Sequence, residues 1–177
     1  MQHQYTYDVS MFRDTFETRF TYLNGFLRNV SRFGTRPALH DPLSGRRWTY
    51  RELNAEANRL AHALRADGVG KNDVVMFTLL NSPEFVFCYL AAHKIGAIAC
   101  PVNYRQGAGE IALVIDDSRP KAFFYDAEFG ELSGGALELC GHKPQTVVMV
   151  DYKGDAAAPS GHTLYQDYVS GQPETDP

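Results

Sequence analysis

Gly107-Ala108-Gly109-Glu110-Ile111-Ala112 carries the pattern Gly-x-Gly-x-x-Ala. That spacing suits a dinucleotide. The glycines let the backbone approach a pyrophosphate at a helix N-terminus, and an acid about 20 residues on would hold a ribose hydroxyl, a place Asp126 could fill. Against this, Asn103-Tyr104-Arg105-Gln106 separates the preceding strand from the first glycine, too long a link for the tight turn the motif needs, and the motif follows the second strand of its unit instead of the first. A dinucleotide-binding domain using Gly107–Ala112 therefore stands as an alternative. Gly68-Val69-Gly70-Lys71 has neither the spacing nor the hydroxyl of a phosphate loop, and His-Glu-x-x-His, Cys-x-x-Cys and Gly-x-Ser-x-Gly are all absent. His3, His40, His62, His93, His142 and His162 show no ligand spacing and are expected to be structural or exposed. No catalytic and no metal-binding residue is assigned.

Any chemistry here must be positioned by the stretch Asp73–Asn103. Val74–Leu80 and Ala97–Val102 are short apolar runs rich in β-branched residues, as in strands covered on both faces of a parallel sheet. Between them Ser82 can cap a helix, Pro83 sits where a missing N–H costs nothing, Glu84 meets the positive end of the dipole and Gly96 can close it. Phe85–Ala92 is apolar nearly all round, so this helix is expected to be buried on most sides. The result is a βαβ unit. Upstream, Phe12, Phe16, Phe20, Leu23, Leu27, Val30 and Phe33 form one stripe of an amphipathic helix, bent at Asn24-Gly25, with the aromatics expected in the core. Pro37–His40 and Arg46–Tyr50 flank a turn-rich Asp41–Gly45 and read as a hairpin, with Trp48 packed on the body of the domain. Thr49 and Glu52 form a capping box. The helix that follows buries Leu53, Ala57, Leu60, Ala61 and Leu64, stops at Gly68, and leaves Glu56, Arg59, Arg65 and Asp67 solvated.

Downstream, a helix with Ile111, Val114 and Ile115 inward ends at Pro120, and Lys121–Tyr125 is a third strand closed by Asp126. Glu128–Cys140 is a weaker helix, since Gly134 and Gly135 each cost about 1 kcal/mol against alanine. Thr146–Val150 is a fourth strand. The alternation predicts an α/β fold: an open, mostly parallel sheet with helices on both faces, preceded by the N-terminal amphipathic helix and the β-hairpin. Residues 1–151 are assigned to this α/β portion, with the hairpin at 36–50 and the helix-plus-sheet core at 51–151. Residues 152–177 turn to Gly, Ala, Pro and Ser around one helical turn (Leu164, Tyr165, Tyr168, Val169) and read as a linker.

A net charge of −4 with no basic stripe argues against nucleic acid. Cys88, Cys100 and Cys140 are odd in number and widely spaced, which suits small core residues, the first two buried, in a reducing compartment. The polar opening Met1–Ser10 is not a signal peptide, and Phe85–Ala92 is far short of the roughly 20 residues that cross a bilayer. A cytoplasmic protein without a transmembrane segment is expected.

The order of motifs resembles the acyl-adenylating (AMP-binding) superfamily of acyl-CoA synthetases, peptide-synthetase adenylation domains and luciferases. Arg47-Trp48-Thr49-Tyr50-Arg51-Glu52-Leu53 with Asn58-Arg59-Leu60-Ala61 resembles its first signature, and Ala91–Asn103 the second. Gly68–Val75, Asn81-Ser82-Pro83-Glu84, Glu110-Ile111 and Asp116-Asp117-Ser118 continue the likeness to Asp126. Two departures stand out: Asn72 replaces a usual glycine, and Gly107-Ala108-Gly109 loosens a helix start that often holds proline. Pro101-Val102-Asn103-Tyr104-Arg105 looks most like fatty-acyl or related carboxylate–CoA ligases.

The resemblance implies the N-terminal part of an AMP-forming acid–thiol ligase. Such an enzyme uses ATP and Mg²⁺ to make an acyl-adenylate and passes the acyl group to coenzyme A. The family's phosphate loop, adenine- and ribose-binding motifs and catalytic lysine are not in this sequence, so the chain alone is expected to be inactive, to bind no cofactor by itself, and to self-associate through surface that the remainder would cover. Asn103, Tyr104 and Arg105 follow the carboxyl end of a strand, where ligands of open parallel sheets collect. The resemblance implies coenzyme A on that side, where Arg105 is expected to face a phosphate and Tyr104 to stack or to shape the entrance. A non-catalytic binding module of the same fold is the other alternative.

Overall fold

A computed structural model describes residues Asp8–Pro177. His3 and the opening Met1–Tyr7 lie outside the described residues. The organising unit forms as its punctuation requires. Strand β3 (Val74–Thr78) and β4 (Ile98–Pro101) pair in parallel, Val74 against Ile98 through Phe77 against Pro101. The helix between them, α4 (Pro83–Lys94), is capped by Ser82, whose Oγ accepts from the Phe85 amide at 3.4 Å. Gly96 closes it at φ +73°, a left-handed turn that glycine adopts without steric cost.

Before that unit lie α1 (Val9–Phe12), α2 (Tyr22–Phe33), the antiparallel hairpin β1 (Pro37–His40) with β2 (Arg47–Thr49), and α3 (Tyr50–Ala66). After it come α5 (Ala108–Ser118), β5 (Ala122–Asp126), α6 (Gly130–Leu139), β6 (Thr146–Val150), β7 (Thr163–Leu164) and α7 (Tyr165–Val169). The main sheet has five parallel strands in the order β4-β3-β5-β6-β7. Side chains alternate between its faces, as strand pleating dictates. Val75, Phe77, Ala122, Phe124, Val148 and Val150 meet α3, α4 and α7 on one side, while Met76, Phe123, Tyr125 and Met149 meet α5 and α6 on the other. Helices cover both faces, as the alternation predicts.

The capping box at Thr49 is complete: Glu52 accepts from the Thr49 amide at 2.8 Å, and Thr49 Oγ1 accepts from the Glu52 amide at 3.3 Å. Trp48 is 4% exposed and stands edge-on to Phe87 at 5.7 Å. Asn72 takes φ +69°, a left-handed conformation that asparagine adopts more readily than most residues with a Cβ. Gly135 is more than a weak helix former. A Cβ there would sit 3.4 Å from Ala108 Cβ, so the position faces α5 across a close helix contact.

Several expectations give way. The N-terminal stripe is not one helix bent at Asn24-Gly25. A π-helical segment at Arg13–Arg19 winds more residues per turn, and Thr21 caps a fresh helix with Oγ1 accepting from the Asn24 amide at 3.2 Å. The phase of the stripe is lost there. Phe12, Phe16 and Phe20 stack on one another in solvent, at 4.7 and 5.7 Å, while Leu23, Leu27 and Val30 pack on the core and Phe26 is the buried ring. Cys100 is half-buried because β4 is an edge strand, and all three cysteines are free thiols.

The charges on α3 are not simply solvated. Arg59 pairs with Glu56 at 2.7 Å, and Asp67 accepts from Thr146 Oγ1 at 2.7 Å and Tyr168 Oη at 2.9 Å. Residues 152–177 contain ordered elements besides the helical turn. They add β7 to the sheet and bury Tyr165 and Val169. Their last residues then dock along α3 and α4: Asn58 Nδ2 donates to the Glu174 carbonyl at 2.5 Å, Arg59 pairs with Glu174, and Lys94, its side chain 3% exposed, pairs with Asp176 at 2.8 Å.

Candidate functional site

Five parallel strands end on one edge of the sheet, so the loops after β3, β4, β5 and β6 converge there, where the strand-end rule places ligands. Two groupings form. The first joins the ends of β4 and β5. Asn103 Oδ1 accepts from the Arg105 amide at 3.0 Å and its carbonyl accepts from the Gln106 amide at 3.1 Å, a tight Asx turn that carries Tyr104 and Arg105. Tyr104 stacks on Phe129 with ring centroids 4.9 Å apart and planes 9° from parallel. The Arg105 guanidinium lies 5.6 Å from the centroid of the Tyr104 ring. Asn103 and Arg105 are exposed and Tyr104 is half-buried. No carboxylate pairs with Arg105 among the described residues, so its charge is open to an anion. Asn103, Tyr104 and Arg105 are thus brought together, with Phe129 as a fourth member that sequence alone does not single out. Its ring comes from the short turn Ala127–Phe129, across the intervening end of β3.

The second grouping is a cleft of about 500 Å³ at the ends of β3, β5 and β6, lined by Leu43, Leu80, Asp126, Glu128, Tyr152 and Lys153 among others. Asp126 is 1% exposed; Oδ1 accepts from the Glu128 amide at 3.0 Å, while Oδ2 has no partner. Burial pushes its carboxyl pKa above the usual range, and neighbouring Glu128 and Asp151 add to this. Asp151 goes the opposite way, held low by the Ala156 amide donating at 2.6 Å. Lys153 is paired with Glu128 at 2.6 Å, a contact that raises its pKa. The hairpin loop closes one side. Tyr152 Oη and Ser44 Oγ both donate to Asp41, holding its carboxyl down to about 2. Glu84, at the start of α4, lines a neighbouring cavity of about 200 Å³. Its Oε2 is unpartnered and burial raises its pKa. Lys153 and Phe129 escape sequence reading, and the burial of Asp126 and Glu84 does too, because burial and distant neighbours are not written locally in the chain. Only the position of Asp126 at a strand end hints at it.

The glycine-rich alternative fails on geometry. The Gly107 amide donates to Glu110 Oε2 at 2.8 Å, so the chain's own carboxylate occupies the helix start where a pyrophosphate would sit. Among the described residues no group of three or more His, Cys, Asp or Glu could hold a metal ion, and no helix is long and apolar enough to cross a membrane.

The family described as AMP-binding enzyme matches residues 26–176. A 3-hydroxybenzoate–CoA/4-hydroxybenzoate–CoA ligase of Thauera aromatica is 41% identical over 130 residues, which are 72% of this chain and 24% of that protein. The long-chain-fatty-acid–CoA ligase FadD13 of Mycobacterium tuberculosis is 40% identical over 87 residues, 49% of this chain and 17% of that one. Among solved structures, an anthranilate CoA ligase in complex with anthranoyl-AMP superposes with a TM-score of 0.78 at 25% identity, covering 86% of this chain and 28% of that one. The chain spans about a quarter of the length of the curated relatives it matches.

Proposed function

Because the chain belongs to the AMP-binding enzyme family, we propose that the intact protein is an AMP-forming acid–CoA ligase. In that reaction a carboxylate attacks the α-phosphate of ATP, pyrophosphate leaves, and the thiol of coenzyme A then displaces AMP from the acyl-adenylate. The match of the family across nearly all of the described chain carries this reading. An aromatic acid is the preferred substrate class, supported by the longer match to the hydroxybenzoate ligase; a long-chain fatty acid is the second reading, supported by the match to the fatty-acid ligase.

Within that reaction this chain supplies the coenzyme A side. Arg105 offers an unpaired, exposed guanidinium that fits a phosphate, on a turn fixed by Asn103 and beside the Tyr104 ring. The cleft at β5 and β6 fits the ATP phosphates badly, since Asp126, Glu128, Asp151 and Asp155 surround one lysine already paired with Glu128. Mg²⁺ likewise finds no donor set among the described residues. We therefore expect the chain alone to run neither half-reaction. Acid-dependent AMP release by the intact protein, assayed with 3-hydroxybenzoate, anthranilate and palmitate, tests the proposal, and absence of AMP with every acid would sink it. Arg105→Ala should raise the KM for coenzyme A about tenfold or more at low salt, the loss of one charge-assisted hydrogen bond.

A further inference from the structure

The Tyr104–Phe129 stack joins two loops that no local bond connects. Tyr104 follows β4 and Phe129 follows β5, and β3 lies between those strands in the sheet. Strands lie about 4.8 Å apart, so the two loops start roughly 10 Å from each other and the rings close that gap. Phe129 is itself fixed from below: the turn Ala127–Phe129 is capped by Asp126, whose Oδ1 takes the Glu128 amide at 3.0 Å. The Arg105 guanidinium rests 5.6 Å from the Tyr104 centroid, and the Arg105 amide is held by Asn103 at 3.0 Å. The outcome is a linked set of three side chains, in which Tyr104 contacts both Phe129 on a capped turn and the exposed cation of Arg105.

We propose that Phe129 is the positioning residue of the coenzyme A side, aiming the Arg105 guanidinium at the nucleotide phosphate through the Tyr104 ring. This rests on the reading of Arg105 given above. An exposed arginine on a loop loses much of its rotamer freedom when it grips a phosphate, and a planar surface already under the guanidinium reduces that loss. With Phe129 stacked on it, Tyr104 works as a fixed support and not as a ring free to swing toward a base. Among the described residues no other ring stacks on Tyr104, so without Phe129 its ring gains freedom and Arg105 samples orientations that miss the phosphate.

The test uses the intact enzyme with Phe129→Ala, Phe129→Leu, Phe129→Tyr and Arg105→Ala, each checked for folding by its thermal midpoint. Phe129→Ala should raise the KM for coenzyme A about 3- to 10-fold, the range expected from losing one aromatic pair, while the KM values for ATP and acid stay put. Phe129→Tyr should restore the wild-type value. Phe129→Leu, which refills space without a flat face, should not. In an Arg105→Ala background, Phe129→Ala should have no further effect on coenzyme A. Rescue by leucine as full as that by tyrosine would show mere packing and overturn the inference. So would an unchanged coenzyme A KM in Phe129→Ala while Arg105→Ala raises it. If Arg105→Ala also leaves that KM unchanged, the reading of the site falls first and the inference with it.

Discussion

Replacing Phe87 should show how firmly the hairpin is bound to the sheet. Phe87 is 2% exposed on α4 and meets Trp48 of β2, itself 4% exposed, with centroids 5.7 Å apart and planes at 73°. Arg46 covers the indole from outside at 4.6 Å. Phe87→Ala removes a fully buried ring from the place where hairpin, α3 and α4 meet, so it should cost about 3–5 kcal/mol. Against a total of roughly 5–15 kcal/mol for a domain, that is about a fifth of the stability or more. The edge-to-face contact itself should account for only about 0.5–1.5 kcal/mol of this, the rest being lost burial and the cavity left behind. A double-mutant cycle of Trp48→Leu and Phe87→Leu separates the two. Urea unfolding followed by circular dichroism serves all four proteins, because Trp48 is the only tryptophan and fluorescence is lost with it. The hairpin carries the Asp41–Ser44 loop to Tyr152, so the same variants should loosen the wall of the cleft. A cost below about 1 kcal/mol for Phe87→Ala, set against the range for buried aromatics, or a coupling indistinguishable from zero, would refute this account of the hairpin's anchorage.

Other substitutions probe the backbone and the buried acids. Gly134→Ala should stabilise by about 1 kcal/mol, because the new methyl meets nothing within 4 Å in a helix interior; an unchanged thermal midpoint would count against a regular helix there. Arg119→Gly should stabilise by about 1 kcal/mol, since Arg119 holds φ +47° at the end of α5, a conformation costly for any residue with a Cβ. Asp126 gives a pH signature of defined sign. Its folded pKa lies above the ordinary 3.8, so the folded state binds that proton more tightly, and stability is lost as pH rises from about 3.8 through the folded value. Asp126→Asn should remove that loss, flattening stability against pH over this window, and a slope identical to wild type would show that burial does not govern this carboxyl.

How far the sequence reached depends on the range of the interactions involved. The strands around α4, the capping at Ser82 and the box at Thr49 and Glu52 were legible because each is settled within a few residues. Apolar β-branched runs select a doubly covered strand, and cap side chains reach amides only three positions away. The same local logic misled at the N-terminus. Equal spacing of Phe12, Phe16 and Phe20 assumes a constant helical pitch, and the π-helical turn changes it. Of the site, the placement of Asn103, Tyr104 and Arg105 beyond a strand end could be read from the chain, while what they touch could not.

By itself the sequence determined which segments become strands and helices, that the two central strands are parallel, and that the order of its motifs points to one enzyme family. Only the tertiary structure decided the strand order, the addition of β7, the burial of Asp126 and Glu84 without partners for one oxygen each, and the pairing of Tyr104 with Phe129. It alone also bound the last residues to α3 across 116 positions of chain. The division has a simple physical cause. Backbone conformation is chosen by hydrogen bonds and sterics between near neighbours, whereas the environment of a side chain is set by whichever distant segments the packed sheet happens to bring alongside it.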